Sequence, residues 1–215
     1  MEYYKMKIVE INTVDYGSTG KIMLQIAECA RENGYEVYTF SRAWKNNKAP
    51  AYGHKYFGTF LDNLLHRILG PFTGREGSFS QRGTRQLLEK LDEIQPDLIH
   101  LHNLHGWYIN YSLLFDYIKK RNITVVWTLH DCWSFTGKCP HFTAVKCEKW
   151  KTGCYHCPQH RQYPESYPDY SKKMWELKKE LFTGVEKMTI VTPSHWLADL
   201  VKQSYLKDYP VKVIN

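Results

Sequence analysis

Short apolar segments alternate with amphipathic segments along most of the chain, and this alternation constrains the fold more than any other feature. The apolar segments, which have strand character, cover residues 7–12, 36–41, 97–102, 123–129, 189–192 and 211–214. Helical spacing is found in residues 22–30, 57–69, 84–94, 111–120, 171–182 and 194–204. Strands that alternate with helices through short connections form a parallel sheet covered on both faces. The sequence therefore predicts an α/β fold with a Rossmann-like, mainly parallel sheet and helices on both faces.

Residues 70–82 are predicted to lie outside regular structure. The Gly70-Pro71 pair should end the helix of residues 57–69, because proline lacks the N–H that a helix interior needs. Residues 73–82 are rich in glycine, serine and arginine, which is typical of a mobile loop. The next helix is expected to begin at Thr84.

The charge balance of these 215 residues favours anionic partners. The formal net charge is +7, from 29 Lys and Arg against 22 Asp and Glu, and nucleotides, phospholipid surfaces and nucleic acid all fit it. The basic residues are scattered in short clusters, however, for which a solvated helix face is the simpler explanation. The sequence has no apolar run near the roughly 18 residues of a membrane span. The N-terminus passes straight into a strand, so we expect a cytoplasmic protein.

A glycine-rich stretch follows the first strand within the predicted loop of residues 13–19. Gly17, Ser18, Thr19, Gly20 and Lys21 join this strand to the first helix and are candidate substrate-binding residues. Two glycines let the backbone approach a ligand closely, and amides at a helix start favour an anion. The spacing is not that of a phosphate-binding P-loop, whose first glycine would fall at Asp15. A simple tight turn is the alternative.

Imidazole and amide groups cluster where the strand of residues 97–102 ends. His102, Asn103 and His105 are candidates for binding a substrate at this sheet edge, while His100 fits a hydrogen-bonded core residue. A catalytic zinc held by three histidines was the other hypothesis, but the sequence places no carboxylate at metal-ligand spacing nearby.

His130 and Asp131 directly follow the strand of residues 123–129. In a parallel sheet, this position faces the crevice where ligands bind, so the pair is the candidate catalytic group. An imidazole there can hydrogen-bond a substrate hydroxyl or phosphate, and Asp131 can orient it or cap the next segment. A purely structural turn is the alternative.

Four cysteines crowd into a cysteine-rich insertion at about residues 132–170. Cys139, Cys147, Cys154 and Cys157 have the spacing C-x7-C-x6-C-x2-C. Four thiolates can close a tetrahedral zinc shell and tie down such a segment, so these are candidate ligands of a structural zinc ion. Free or disulfide-linked cysteines are the alternative, and His141, His156 or His160 could replace one thiolate.

Four segments carry a resemblance to a known family: KIVEINTVDYGSTGKI, PDLIHLHNLHGWYINY, VVWTLHDCWSFTGKC and VTPSHWLADLV. Together they resemble the N-terminal domain of retaining glycosyltransferases with the GT-B architecture, of the group-one or family-four type. The combination is most similar to a bacterial subgroup that builds exopolysaccharide, colanic-acid-like or capsular chains. The resemblance covers nearly the whole chain.

The resemblance implies transfer of a sugar from a nucleotide-sugar to a growing, usually lipid-linked glycan, with retention and without a metal cofactor. It implies the following places: Gly17 to Gly20 near the donor diphosphate and acceptor, His130 near the donor sugar, His102 and Asn103 on the acceptor side, and Ser194 near an interdomain cleft. The family's C-terminal nucleotide-binding domain has no counterpart in residues 1–215. Little or no transfer by this chain alone is therefore expected.

A second hypothesis is a non-catalytic, zinc-stapled module that recognises a glycan or nucleic acid through tyrosines and lysines. Strong salt-dependent binding of nucleic acid would favour that module. The glycosyltransferase hypothesis expects no nucleic acid partner. The positive charge is compatible with peripheral association at the inner face of a membrane.

Overall fold

The computed structural model describes residues 4–44 and 53–215. Seven strands in these residues form one sheet in which every neighbouring pair is parallel, in the order β3-β2-β1-β4-β5-β6-β7. The strands are Lys7–Ile11 (β1), Glu36–Arg42 (β2), His54–Phe57 (β3), Leu98–Leu101 (β4), Thr124–Thr128 (β5), Met188–Thr192 (β6) and Val211–Val213 (β7). The predicted α/β fold with a parallel sheet is confirmed.

Helices connect the strands. They are Gly17–Glu32 (α1), Phe60–Thr73 (α2), Gln81–Ile94 (α3), Tyr111–Arg121 (α4), Ser171–Phe182 (α5) and His195–Val201 (α6). Side chains that accept a first-turn amide start three of them: Thr59 for α2, Asn110 for α4 and Ser194 for α6. Helix α1 leads from β1 to β2, and α4 leads from β4 to β5, so the two helices run towards opposite edges of the sheet. Because β–α–β crossovers are right-handed, α1 and α4 therefore lie on opposite faces.

The strand order reverses between β1 and β4, which makes this pair the switch point of the sheet. The two strands pair in register from Ile8 with Leu98 to Ile11 with Leu101. Val9, Ile11 and Leu101 are fully buried, so apolar packing holds the middle of the sheet. The loops after β1 and β4 consequently diverge to opposite sides and leave a crevice between them.

Two predictions for residues 54–74 are wrong. Residues 54–57 form the edge strand β3, whereas helical spacing was expected from Phe57. Helix α2 runs through Gly70 and Pro71 to Thr73 and ends at Gly74, which has a left-handed φ of 69°. Pro71 is tolerated because the missing N–H removes one helical bond in the last turn. Its own carbonyl, which the end of the helix leaves without a helical partner, accepts the Tyr167 N–H.

Residues 73–82 are not the mobile loop that their composition predicts. The Gly77 N–H donates to Nε2 of the buried His66, and the Glu76 carboxylate accepts the Gly106 N–H and the indole N–H of Trp133. Glu76 is only 8% exposed. Helix α3 begins at Gln81, three residues before the predicted start. Long-range hydrogen bonds of this kind leave no trace in local composition.

Candidate functional site

A cleft of about 310 Å³ opens at the β1–β4 switch point. Its walls come from the loops after β1 and β4, from the end of β2, from α2 and from the cysteine-rich segment. The lining residues are Thr13, Val14, Thr19, Arg42, Arg67, Asn103, His105, Gly106, Trp107 and Tyr163. Hydroxyl, amide, imidazole and guanidinium groups are thus present, and none of these ten residues is Asp or Glu.

The glycine-rich stretch forms the first turn of α1, which begins at Gly17 instead of after the predicted loop. A side chain at position 20 would place its Cβ 2.5 Å from the carbonyl carbon of Asp15, so the close turn requires glycine. No side chain caps α1, and its first turn carries no acidic residue. The positive end of this helix can therefore bind an anion. Thr19 lines the cleft, whereas Ser18 and Lys21 are exposed outside it.

Two residues at the end of β1 hold the loops around the cleft together. The Asn12 side-chain oxygen accepts the Asn103 N–H, and its amide group donates to the Val14 carbonyl and the Thr19 hydroxyl. The Thr13 hydroxyl lies 2.8 Å and 2.6 Å from the carbonyl oxygens of Asn103 and His105. Asn103 is therefore fixed by its backbone. Asn12 and Thr13 were not singled out from the sequence.

A buried network of one carboxylate and three imidazoles lies beneath the cleft. Glu10 on β1 bonds His100 through Oε1 (3.1 Å) and His102 through Oε2 (2.8 Å). The second nitrogen of His100 lies 2.8 Å from the Thr128 hydroxyl, and that of His102 lies 3.1 Å from Nε2 of His130. The carboxylate that the sequence does not place near these histidines thus comes from a neighbouring strand.

Asp131 makes contacts of its own and does not bond His130. Its Oδ2 lies 3.0 Å from Nε2 of His105, and its Oδ1 accepts the Trp133 N–H at 2.8 Å. The other nitrogen of His105 lies 3.1 Å from the Tyr163 hydroxyl. Asp131 therefore caps the next segment, which is one of the two roles expected for it, and it orients His105 on the cleft wall.

The electrostatics of the site favour a neutral imidazole at His130. Burial, followed by the nearby His102, lowers the pKa of His130 to about 4. Burial alone would raise the pKa of Asp131, but the hydrogen bonds from His105 and the Trp133 N–H, together with electrostatic attraction to His105 and His141, outweigh it and hold this pKa below its usual value. Near neutral pH the site therefore presents an uncharged His130 and an ionised Asp131.

Ser194 lies apart from this cleft. It follows β6 at the same edge of the sheet and caps α6 by accepting the Leu197 N–H. Neither Ser194 nor His130 is among the residues that line the 310 Å³ cleft, but His130 borders an adjoining space together with Asn103 and His105, which also line the cleft. Within this chain Ser194 therefore has a structural role, and its predicted place near an interdomain cleft stays a prediction.

The four candidate zinc ligands are free thiols in one segment. Within the described part of the chain, no three of their sulfur atoms lie within 4.8 Å of one another, so the thiols do not form a closed coordination shell. The Cys154 sulfur accepts the Gly137 N–H at 3.0 Å. Phe135, Phe142 and Trp150 of the insertion are buried in the main hydrophobic core. Packing alone therefore holds much of the insertion, and zinc stays a prediction.

Comparisons with known proteins identify the family of the chain and agree with its fold. The family model for Glycosyltransferase Family 4 matches residues 19–215. The chain is 35% identical over 117 residues to WcaC of Escherichia coli (strain K12), whose name describes a colanic acid biosynthesis glycosyl transferase; the match covers 51% of this chain and 28% of WcaC. The fold matches sucrose-phosphate synthase from Thermosynechococcus elongatus with a TM-score of 0.60 at 10% identity, over 98% of this chain and 48% of that one. The chain spans less than half the length of each of these two proteins. Because the family model covers residues 19–215, the chain belongs to glycosyltransferase family 4.

Proposed function

We propose that the chain is the acceptor-side domain of an enzyme that transfers a sugar from a nucleotide-sugar to a glycan or lipid-linked acceptor. The cleft at the β1–β4 switch point carries this proposal. It combines the positive end of α1, two arginines and the imidazole of His105, and the neutral His130 borders the adjoining space. These groups together suit a ligand with both phosphate and hydroxyl groups. The similarity to WcaC supports a place in polysaccharide biosynthesis.

The side chains of the cleft favour retention without an enzyme nucleophile. Glycosidases need two carboxyl groups beside the scissile bond, but no Asp or Glu lines this cleft, and both oxygens of Asp131 already have partners. In the proposed step the acceptor oxygen forms a bond to the anomeric carbon while the bond to the diphosphate oxygen breaks. The acceptor hydroxyl passes its proton to the departing diphosphate on the same face. The step requires no metal ion.

Preorganised charge stabilises the leaving group. The amides of the first turn of α1 and the guanidinium groups of Arg42 and Arg67 border one cleft, where developing negative charge on a diphosphate would be stabilised. Burial of such a cleft by a second domain would exclude water and strengthen these interactions. We propose that a nucleotide-binding domain completes the donor site and that residues 1–215 alone transfer little or no sugar.

The stereochemical course tests this function. The complete gene product is incubated with nucleotide-sugars and a lipid-linked acceptor, and the anomeric configuration of the first product is read by NMR. Retention of the donor configuration is expected. A product of inverted configuration would overturn the proposed step, and a failure of every nucleotide-sugar would overturn the proposed function.

We also propose that helix α2 rests on the cytoplasmic face of a membrane that carries the acceptor. None of the described helices is both long and apolar enough to span a bilayer. Helix α2 nevertheless exposes one apolar row: Leu61, Leu65, Ile68, Leu69 and Phe72. Leu61 and Phe72 are each 66% exposed. The ring of Phe72 lies 4.9 Å, between ring centroids, from the ring of Tyr167, which is itself exposed. Arg67 of the same helix lines the cleft, which brings the row close to the acceptor.

Vesicle binding tests the membrane contact. The chain should co-sediment with vesicles that contain phosphatidylglycerol, and the double variant Leu65→Glu, Phe72→Glu should bind at least about tenfold more weakly because charge replaces apolar contact. Ile214→Glu, at an equally exposed position outside α2, is the matched control. Equal binding by the double variant and the control would overturn the proposed contact.

A further inference from the structure

A carboxylate is buried in the middle of the sheet directly beneath the cleft. Glu10 is 1% exposed on β1, and the parallel register places it beside His100 on β4. Because strand side chains alternate, His102 projects on the same side as His100, and both imidazoles reach the one carboxylate. A buried charge is costly unless it is fully hydrogen-bonded, so this arrangement calls for an explanation.

The protons of this network can be assigned from its geometry. An ionised carboxylate only accepts hydrogen bonds, so Nε2 of His102 must carry a proton and donate it to Glu10. Burial raises the pKa of the Glu10 carboxyl, but the bonds from His100 and His102 outweigh this and keep it lowered. Burial also lowers the pKa of His102, which is therefore neutral. Its Nδ1 then carries a lone pair and can only accept a hydrogen bond.

The assignment continues to His130. Nδ1 of His102 lies 3.1 Å from Nε2 of His130, and an acceptor on His102 requires a donor on His130. The neutral His130 then has its proton on Nε2 and a lone pair on Nδ1. Among the described residues, Nδ1 of His130 has no hydrogen-bond partner, and His130 is partly exposed.

We propose that Glu10 and His102 are positioning residues that fix His130 in the Nε2–H tautomer, so that it offers an Nδ1 acceptor to a ligand hydroxyl. This inference deepens the proposed function, since it names what His130 recognises. The opposite tautomer would present an N–H donor and would suit a phosphate or carbonyl oxygen instead. The buried carboxylate thus selects the polarity of the contact that His130 makes.

His100 supplies a matched control within the same network. It is also buried, bonds the same carboxylate and lies two residues from His102, but its second nitrogen contacts Thr128 instead of His130. Loss of His100 removes one bond to Glu10 and leaves the path from Glu10 through His102 to His130 intact. His100→Phe should therefore disturb packing as much as a His102 variant without changing His130.

A metal ion is the competing explanation for Glu10, His100 and His102. One donor atom from each lies within 4.8 Å of the others. The distances of 2.8 Å and 3.1 Å between carboxylate oxygens and ring nitrogens, however, are those of ordinary hydrogen bonds. Elemental analysis of the chain separates the two: about one equivalent of a transition metal that is lost in Glu10→Met would overturn the proton assignment.

NMR of the chain with 15N-labelled histidine rings tests the tautomer without substrate, so its failure is separate from a failure of sugar transfer. In the unaltered chain at pH 7 the two-bond correlations should show His130 protonated on Nε2, with a coupling across the hydrogen bond to Nδ1 of His102. In the hydrogen bond between His102 and His130, molecules with His130 as the donor should outnumber those with His102 as the donor by about ten to one, the ratio that one typical hydrogen bond produces.

Glu10→Met should lower this ratio by about tenfold, because His102 Nε2–H loses its acceptor and His102 can become the donor. His100→Phe should leave the ratio unchanged. A His130 ring protonated on Nδ1 in the unaltered chain would overturn the proposal even if no variant folds. An unchanged ratio in a folded Glu10→Met chain would also overturn it.

Discussion

Acid should destabilise the fold through His66, a fully buried histidine of α2 that holds residues 77–80 in place. Its Nε2 accepts the Gly77 N–H at 3.1 Å, so its Nδ1 must carry the proton and donate it to the Ser80 hydroxyl at 2.8 Å. A second proton on the ring would break the bond to Gly77. Burial lowers the pKa of His66 to about 3.

The sign and size of the effect follow from that value. The unfolded histidine has a pKa of about 6.5, so the unfolded chain binds the extra proton first as the pH falls. The contribution of His66 to stability is therefore complete above pH 6.5 and is lost towards the folded pKa. Between pH 7 and 4.5 the free energy of unfolding should fall by about 2.5 kcal/mol through this one side chain.

Urea unfolding at pH 7, 5.5 and 4.5 measures the loss. His66→Gln keeps an acceptor and a donor but does not titrate, so its stability should fall by about 2.5 kcal/mol less than that of the unaltered chain over this range. His195→Gln, at an exposed position, is the control and should retain the full pH dependence. The same pH dependence in His66→Gln and in the unaltered chain would show that His66 does not cause the loss of stability.

Two further predictions concern packing and metal. Gly77→Ala should cost about 2–5 kcal/mol of unfolding free energy, because the new Cβ would lie 1.9 Å from the Tyr111 ring at a φ of +78°. Gly34→Ala, with a φ of +88° and open space, should cost only about 1–2 kcal/mol; equal losses would contradict the packing argument. If the cysteine cluster holds zinc, freshly purified protein should contain about one equivalent and Cys154→Ser less than half of that. Less than half an equivalent in the unaltered protein would count against zinc.

Strands and helices with strong periodicity could be predicted from the sequence. The apolar runs that became β1, β2, β4 and β5 are buried, and the parallel arrangement follows from their alternation with helices. Residues 54–57 form a short edge strand with two polar side chains, and their pattern carries little information. Pro71 does not end helix α2, because it costs only one helical bond in the last turn, and a tertiary hydrogen bond from Tyr167 satisfies its carbonyl, which only the folded structure reveals.

The site could be predicted at its strand ends but not in its supporting contacts. Residues that follow β4 and β5 were expected at the crevice because parallel strands end at one edge. Glu10 lies ninety residues before His100 along the chain, and only the strand register brings them together. The sequence does carry one indication of this network: Glu10 is a charged residue within the apolar stretch KIVEIN, and a buried carboxylate needs polar partners.

The role of His130 in sugar transfer can be measured as turnover of the complete gene product. Transfer of labelled sugar from a nucleotide-sugar to a lipid-linked acceptor is compared for the unaltered enzyme, His130→Ala and the exposed control His195→Ala. We expect His130→Ala to lower turnover by about a hundredfold or more while folding is retained, and the control to stay near the unaltered rate. Unchanged turnover by a folded His130→Ala enzyme would show that His130 has no part in the transfer.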